Sequence, residues 1–324
     1  MTPASRSLWI RLRRPLRNVL GLALIALSGV YVYGILEESV DELGRGTHAL
    51  GVGEWSALLL GIVGTLVLST LYHVLATRRI EDVDLPSTRI AVAYALGQIV
   101  RYVPGKVVGV LFQARYLSGS VRASTVGLAL VVQTVYDYVW TFAFAGSILL
   151  CATFQTTWPL LALTPVGCVL WQSHVKGWCE RGLLLARPLR RLFEDRQLQQ
   201  LRRPAHAGVA TLVLLGEWIP MLLGIGFALD ATLGLGNALL LGAIYMVAAV
   251  GSLLVFVVPS GLVVREALFV WMGVRYGFEP AMLVFVGLAL RAAMTVAEAL
   301  NGAIFVVADV LQRKSSSSPP PEAQ

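Results

Sequence analysis

The chain has 324 residues, of which 56% are hydrophobic and 14% are charged. Soluble domains carry about 25% charged residues, so this composition predicts an integral membrane protein with little mass outside the bilayer. We attribute the net charge of +7 to cytoplasmic loops and anionic head groups rather than to a nucleic-acid partner. The longest hydrophilic run, residues 176–203, is too short to bury a core of its own. The three cysteines and four histidines show no metal or redox spacing, so no cofactor is expected.

The first part of the chain predicts two membrane spans. Residues 1–17 are basic and precede an apolar span over 18–36, so the positive-inside rule places this end in the cytoplasm. The span is long for a signal peptide and lacks a small-residue cleavage site at its end, which favours a retained helix. An acidic loop over 37–42 is then external, and a second span over 55–76 returns to basic residues on the inside.

Residues 89–117 predict a helical hairpin that enters the membrane and leaves it on the same side. Each half is too short to cross about 30 Å of hydrocarbon at about 1.5 Å per residue. Pro104 and Gly105 separate the halves, because proline interrupts a helix interior. The basic side chains around this break are Arg101, Lys106 and Arg115. Charged groups in an apolar segment face a cavity or a partner, which makes this hairpin a candidate binding element.

The three spans that follow cover residues 123–150, 158–171 and 205–229, with a basic cytoplasmic loop over 174–204 before the last of them. Inside these spans, Asp137 and Glu217 are the carboxylates, and Gln133 is a further polar residue. A carboxylate at membrane depth is costly, so both acidic residues are predicted to face a cavity or a charge network.

The region before the last span has two interpretations. Residues 239–258 are long enough to cross the membrane, but the last span, 281–311, then ends outside together with its basic residues. A turn at Pro259 and Gly261 makes a second hairpin instead, entered from outside, and places the C-terminus in the cytoplasm. We prefer the second interpretation. The tail, 312–324, has the composition of a disordered segment.

The two breaks occupy corresponding positions in two halves, about 55–172 and 205–311. Asp137 follows the first proline at nearly the distance at which Arg291 follows the second, and the two hairpins open from opposite sides. Paired broken segments of this kind indicate a transport site at the bilayer midplane. The predicted fold is an all-α polytopic membrane protein with about six full transmembrane helices and two re-entrant hairpins related as an inverted repeat. A hydropathy count alone gives seven or eight spans in this single transmembrane domain, 18–311.

Three stretches carry the longest motifs: GQIVRYVPGKVVGVLFQARYL, VPSGLVVREALFVWMGVRYG and LALRAAMTVAEALNGAIF. In content and order they resemble the lysylphosphatidylglycerol synthase transmembrane (flippase-like) family, over most of the chain from about 55 to 310. The resemblance implies a stand-alone member, without the soluble aminoacyl-transfer domain, in a bacterial inner membrane. The positions that it marks are Pro104, Gly105, Lys106, Gly109, Arg115, Asp137, Pro259, Gly261, Arg265, Glu266 and Arg291.

A phosphate-bearing head group suits these basic residues, because arginine's planar fork matches a phosphate. The expected binding residues are Arg101, Lys106, Arg115, Arg265 and Arg291, and the expected network residues are Asp137, Glu217, Glu266 and Glu298. Adjacent helical residues do not face each other, so Arg265 and Glu266 are not expected to pair. Glu298 lies two turns beyond Arg291 and is expected to line the same cavity. The alternative for Arg101 and Arg115 is that both reach the membrane interface.

Two functions remain open at this point. The first is a flippase-like protein of the inner membrane, not an enzyme, that translocates or binds an anionic phospholipid or a polyprenyl-linked sugar between the hairpins. The alternative is a non-transporting membrane partner of a glycosyltransferase or lipid-modifying enzyme, docked through the basic loop. A membrane-embedded transferase is a third and weaker possibility, because the first hairpin holds no carboxylate base.

Overall fold

The structure is a computed structural model that describes residues 50–81, 87–100, 108–176, 207–254 and 264–316. These residues form ten α-helices and one short 3₁₀ helix, and the described ranges contain no strand. The predictions for the first span, most of the basic loop and the tail lie outside the described residues. So do the predictions for Arg101, Pro104, Gly105, Lys106, Pro259 and Gly261.

The helices of the first half are α1 (Val52–Glu81), α2 (Ser87–Val100), α3 (Val108–Tyr116) and α4 (Ala123–Phe154). The 3₁₀ helix (Trp158–Ala162) and α5 (Leu163–Lys176) follow. The second half contains α6 (Ala207–Gly216), α7 (Ile219–Leu233), α8 (Leu235–Leu254), α9 (Val264–Arg275) and α10 (Pro280–Ser316). In both halves, two helices on either side of a Pro/Gly-containing stretch stand between longer apolar segments.

Five helical stretches are long and apolar enough to cross a membrane, by length and composition: Val52–Glu81, Ala123–Phe154, Gly208–Leu233, Leu235–Ser252 and Pro280–Lys314. The chain is therefore an all-helical, multi-pass membrane protein. Three predicted spans, over 55–76, 123–150 and 281–311, are confirmed as helices of membrane-spanning length. The fourth, over 205–229, coincides with the membrane-length stretch Gly208–Leu233, which consists of α6 and α7.

Two stretches differ from the other predicted spans in length. The apolar helix Trp158–Gln172 is only about 22 Å long at 1.5 Å per residue, so the full span predicted over 158–171 is not confirmed. Helix α8 has 20 residues, about 30 Å, which by length alone suffices to cross. The turn predicted after it falls in 255–263, outside the described residues, so the second hairpin stays a prediction.

Helices α1 and α7 pack against each other at an unusually close crossing. A Cβ on Gly61 would lie 2.5 Å from the Pro220 carbonyl oxygen and 2.8 Å from the Gly224 Cα. A Cβ on Gly224 would lie 2.7 Å from the Ala57 carbonyl oxygen. Only glycine lets the two backbones touch in this way, and small residues at helix crossings are the usual basis of packing in membranes.

The longer helices also pack across the two halves in a reciprocal way. Helix α4, which follows the first pair of shorter helices, packs on α8 of the second pair. Helix α10, which follows the second pair, packs on α2 of the first pair. Within each pair the two helices contact each other, α2 with α3 and α8 with α9. The centre of the molecule is therefore enclosed by segments from both halves.

Candidate functional site

A cavity of about 270 Å³ lies between helices of both halves. Four of the residues singled out in the sequence line it: Asp137, Glu217, Arg265 and Arg291. Asp137 is near the middle of the 32-residue helix α4, and Arg291 lies within the 37-residue helix α10. The rest of the lining comes from further residues of α4 and α10 and from α1, α2, α8 and the junction of α6 with α7. The structure thus brings together charged residues that are up to about half the chain apart in sequence.

Arg265, Glu266 and Arg291 form one cluster at the α9–α10 side of the cavity. Nη2 of Arg265 donates to Oε1 of Glu266 at 2.8 Å, and Nη1 of Arg291 approaches the same oxygen at 3.4 Å. The Arg265 guanidinium also lies 5.3 Å from the centroid of the Tyr245 ring, a cation–π distance. One carboxylate therefore holds two guanidinium groups beside each other.

The expectation that Arg265 and Glu266 would not pair was wrong. The two residues are in the first turn of α9, which begins at Val264. The spacing rule describes the directions in which side chains leave the helix surface, not how far a flexible side chain can reach. Arginine has a long and flexible stem, so its guanidinium reaches across to the neighbouring carboxylate. The predicted contact between Glu266 and Arg291 is present, but Asp137 is not bonded to this cluster.

Asp137 and Glu217 form a second, acidic part of the cavity. Oδ1 of Asp137 accepts hydrogen bonds from the Trp218 indole at 2.7 Å and from the Thr141 hydroxyl at 3.2 Å. Glu217 is 4% exposed and is hydrogen-bonded to the side chain of Ser69. Its Oε2 atom has no hydrogen-bond partner among the described residues. In the described part of the chain, neither carboxylate has a cationic side chain within 4 Å.

Glu217 lies at an interruption of the apolar segment that forms α6 and α7. Proline lacks the N–H that a continuous helix needs, and Pro220 accordingly sits in the first turn of α7. Two side chains from other helices bond the backbone near the break. The Trp140 indole donates to the Leu215 carbonyl at 3.1 Å, and the Thr65 hydroxyl accepts from the Met221 N–H at 3.1 Å. The span predicted over 205–229 is therefore formed by two helices with a break between them.

A buried polar network extends from the cavity into α1, α2 and α4. The Gln133 amide nitrogen donates to the hydroxyl groups of Ser69 and Tyr94, both at 3.0 Å. Its oxygen lies 3.0 Å from Nδ1 of His73, whose ring stacks on Tyr94 with centroids 4.3 Å apart. The sequence predicted no role for Gln133 beyond that of a polar residue in a span, and no metal or redox role for the histidines. The signal was present in α1, where Ser69 and His73 lie one turn apart on one helical face.

Three other predicted positions lie away from the cavity. Arg115 is exposed at the last turn of α3, where a cation is stabilised by the helix dipole. Gly109 is buried within the same helix. Glu298 is buried but does not line the cavity, contrary to expectation, because two turns of α10 carry it about 10 Å beyond Arg291. Across the described ranges, no three His, Cys, Asp or Glu side chains gather as a metal site.

The chain matches no family model, no curated protein and no solved structure. The likeness to the lysylphosphatidylglycerol synthase transmembrane family therefore rests on the sequence motifs alone. What the cavity binds has to be argued from its own geometry and charge.

Proposed function

We propose that this protein binds the anionic head group of a membrane lipid in the central cavity and carries it between the leaflets. The lipid is an anionic phospholipid or a polyprenyl-linked sugar, and no chemical step on it is involved. The observation that carries the proposal is the pair Arg265 and Arg291, which Glu266 holds side by side at the cavity wall.

Arg291 keeps donors available for a ligand. Among the described residues, Glu266 is the one ion-pair partner of the Arg291 side chain, through one nitrogen at 3.4 Å, and 36% of that side chain is exposed. A guanidinium has five N–H donors, so most of those on Arg291 are free to meet an incoming phosphate. Two adjacent guanidinium groups suit the several oxygens of a phosphate diester, and charge-assisted bonds of this kind are about twice as strong as neutral ones.

The depth of the cavity favours transport over simple surface binding. Asp137 and Ser69 lie near the middle of α4 and α1, two helices long enough to cross the bilayer. The α6–α7 break at Glu217 adds an interrupted helix at the same level. Irregular backbone and charge are tolerated at membrane depth where they line a cavity, and interrupted helices mark the substrate sites of many transporters.

The reciprocal packing of the two halves supports the proposed inverted repeat. A two-fold axis in the membrane plane would exchange α4 with α10 and the first pair of shorter helices with the second. Such an exchange would turn the contact of α4 with α8 into the contact of α10 with α2, and the two contacts occur together. The α1–α7 crossing at Gly61 and Gly224 would then lie on the axis. Rocking one half against the other would open the cavity to each side in turn.

The test is leaflet exchange of labelled phosphatidylglycerol and of a polyprenyl-phosphate sugar in proteoliposomes. Wild type is compared with Arg265→Gln and with Arg275→Gln, a matched control on the exposed surface of the same helix. Loss of a charged hydrogen bond of about 1.5–3 kcal/mol predicts a fall in exchange at low lipid of about ten- to a hundredfold for Arg265→Gln. The control should exchange lipid as wild type does.

Exchange that is unchanged in Arg265→Gln would contradict the proposed site. No exchange by folded wild type would contradict transport altogether and favour the alternative, a non-transporting partner of a glycosyltransferase or lipid-modifying enzyme. In that case, charge reversal in the basic loop, 174–204, should abolish the biological function while the cavity variants keep it. A bacterial inner membrane with both termini in the cytoplasm is the proposed setting, as the motifs and the basic termini imply.

A further inference from the structure

The charges around the cavity do not balance among the described residues. Three carboxylates, from Asp137, Glu217 and Glu266, accompany two guanidinium groups, from Arg265 and Arg291. Glu266 is shared by both arginines, so the other two carboxylates form a separate negative region. A monoanionic head group placed on the arginines would leave the site with still more negative charge.

The acidic pair lies where an excess charge is costly. Glu217 is 4% exposed and lines the cavity, and its Oε2 atom is buried without a hydrogen-bond donor among the described residues. Asp137 lies close enough to repel it electrostatically. Buried charges are stable only when they are paired or neutralised. The unsatisfied oxygen of Glu217 therefore marks a place for a positive charge.

We propose that the Asp137–Glu217 pair takes up one positive charge when an anion binds to Arg265 and Arg291. This inference rests on the proposed function and narrows its substrate class. The charge has two possible sources: the ligand itself, as the ammonium group of a zwitterionic head group, or the solution, as a proton or a sodium ion. The hydroxyl group of Ser69, which is hydrogen-bonded to Glu217, supplies a further oxygen at the cavity wall.

The surroundings of the pair contain further titratable and charged groups, each on an element packed around the cavity. They are His73 on α1, Tyr94 on α2, Tyr138 on α4, Arg265 and Glu266 on α9, and Arg291 on α10. His73 contacts the cavity network through Gln133 and through its stacking on Tyr94. Variants of the acidic pair are therefore needed to assign any dependence on pH to Asp137 and Glu217.

The experiment measures equilibrium binding of two short-chain lipids to the purified full-length protein. Dioctanoyl phosphatidylglycerol carries a phosphate only, and dioctanoyl phosphatidylethanolamine carries a phosphate and an ammonium group. Each is titrated at acidic and alkaline pH, and with sodium or choline as the cation. If a solution cation is taken up, affinity for phosphatidylglycerol rises about tenfold per unit fall in pH, or about tenfold per tenfold increase in sodium. If the ligand brings the charge, phosphatidylethanolamine binds more tightly than phosphatidylglycerol under every condition.

The decisive variant is Glu217→Gln, which removes the excess negative charge with little change of shape. It should bind phosphatidylglycerol at least as tightly as wild type under every condition, and it should lose the dependence on pH, sodium or the ligand amine. A merely structural role for Glu217 predicts weaker binding instead. Asp137→Asn should behave in the same way, since its oxygen still accepts the Trp218 and Thr141 bonds. Glu279→Gln and Asp230→Asn, both exposed, are the matched controls.

The outcomes separate this inference from the proposed function. Wild-type affinity that is equal for both lipids and independent of pH and sodium would overturn the inference, and so would a dependence that both variants retain. In either case, loss of binding in Arg265→Gln would leave the anion site intact. Failure of folded wild type to bind either lipid would overturn the proposed function and this inference with it.

Discussion

The crossing of α1 and α7 should be the position at which one added methyl group lowers the stability of the protein most. Gly224 lies in the interior of α7, and a Cβ there would stand 2.7 Å from the Ala57 carbonyl oxygen and 3.0 Å from the Gly61 Cα. Ordinary carbon contacts lie at about 3.5–4.0 Å. The atoms that would have to give way are backbone atoms of a long helix, which cannot swing aside as the end of a side chain can. Gly224→Ala must therefore push the two helices apart.

A second glycine isolates the size of this effect. Gly127, in the interior of α4, has no heavy atom within 4 Å of where its Cβ would be. Both substitutions gain the helix propensity of alanine, about 0.8–1 kcal/mol. The difference between the two variants is therefore the overpacking term, about 1–3 kcal/mol, and backbone-to-backbone contact favours the upper part of that range. Gly224→Ala should be less stable than wild type, and Gly127→Ala as stable or slightly more so.

The assay is thermal unfolding of the detergent-purified protein, followed by loss of the monodisperse peak in size-exclusion chromatography. The variants are measured side by side with wild type. A Gly224→Ala protein that unfolds at the same temperature as Gly127→Ala, or above it, would show that the two backbones do not touch. Gly61→Ala should destabilise the protein to a similar extent, because its Cβ would enter the same crossing from the other helix.

Two other substitutions test how buried polar groups are satisfied. Thr65→Val removes the acceptor of the Met221 N–H near the helix break, so it should lower the free energy of unfolding by about 1–3 kcal/mol. The control is Thr295→Val, which should have little effect because the Thr295 hydroxyl bonds a carbonyl of its own helix. Equal stability of these two variants would contradict the role of Thr65. Gln133→Leu leaves Nδ1 of His73 without its partner and should cost about 1–3 kcal/mol in the same unfolding assay. A Gln133→Leu protein as stable as wild type would show that the network contributes nothing to the fold.

The parts of the structure that the sequence predicted best are those that depend on composition. Long apolar runs predicted four of the membrane-length helical stretches, because burial in lipid requires such runs whatever the neighbours are. Charged residues inside these runs predicted a shared cavity, and the structure places Asp137, Glu217, Arg265 and Arg291 around it. A charged residue in an apolar run has to face a cavity or a partner, so it indicates such a site even when the partner is not known.

The features that the sequence did not predict depend on partners that are distant in the chain. The network of Gln133 joins side chains of three helices, and no local pattern shows which helices meet. The pairing of Arg265 with Glu266 depends on the reach of one flexible side chain, which helical spacing does not describe. The break at Pro220 was visible as a proline in the sequence, but its significance lies in Thr65 and Trp140, which bond the freed backbone.

The most direct test of head-group binding is the affinity of purified protein for dioctanoyl phosphatidylglycerol in wild type, Arg265→Gln and Arg275→Gln, under the condition that favours binding most. Binding that falls by about ten- to a hundredfold in Arg265→Gln and is unchanged in Arg275→Gln would support an anion site at the cavity wall. Equal affinity in all three proteins, with each of them folded, would contradict it.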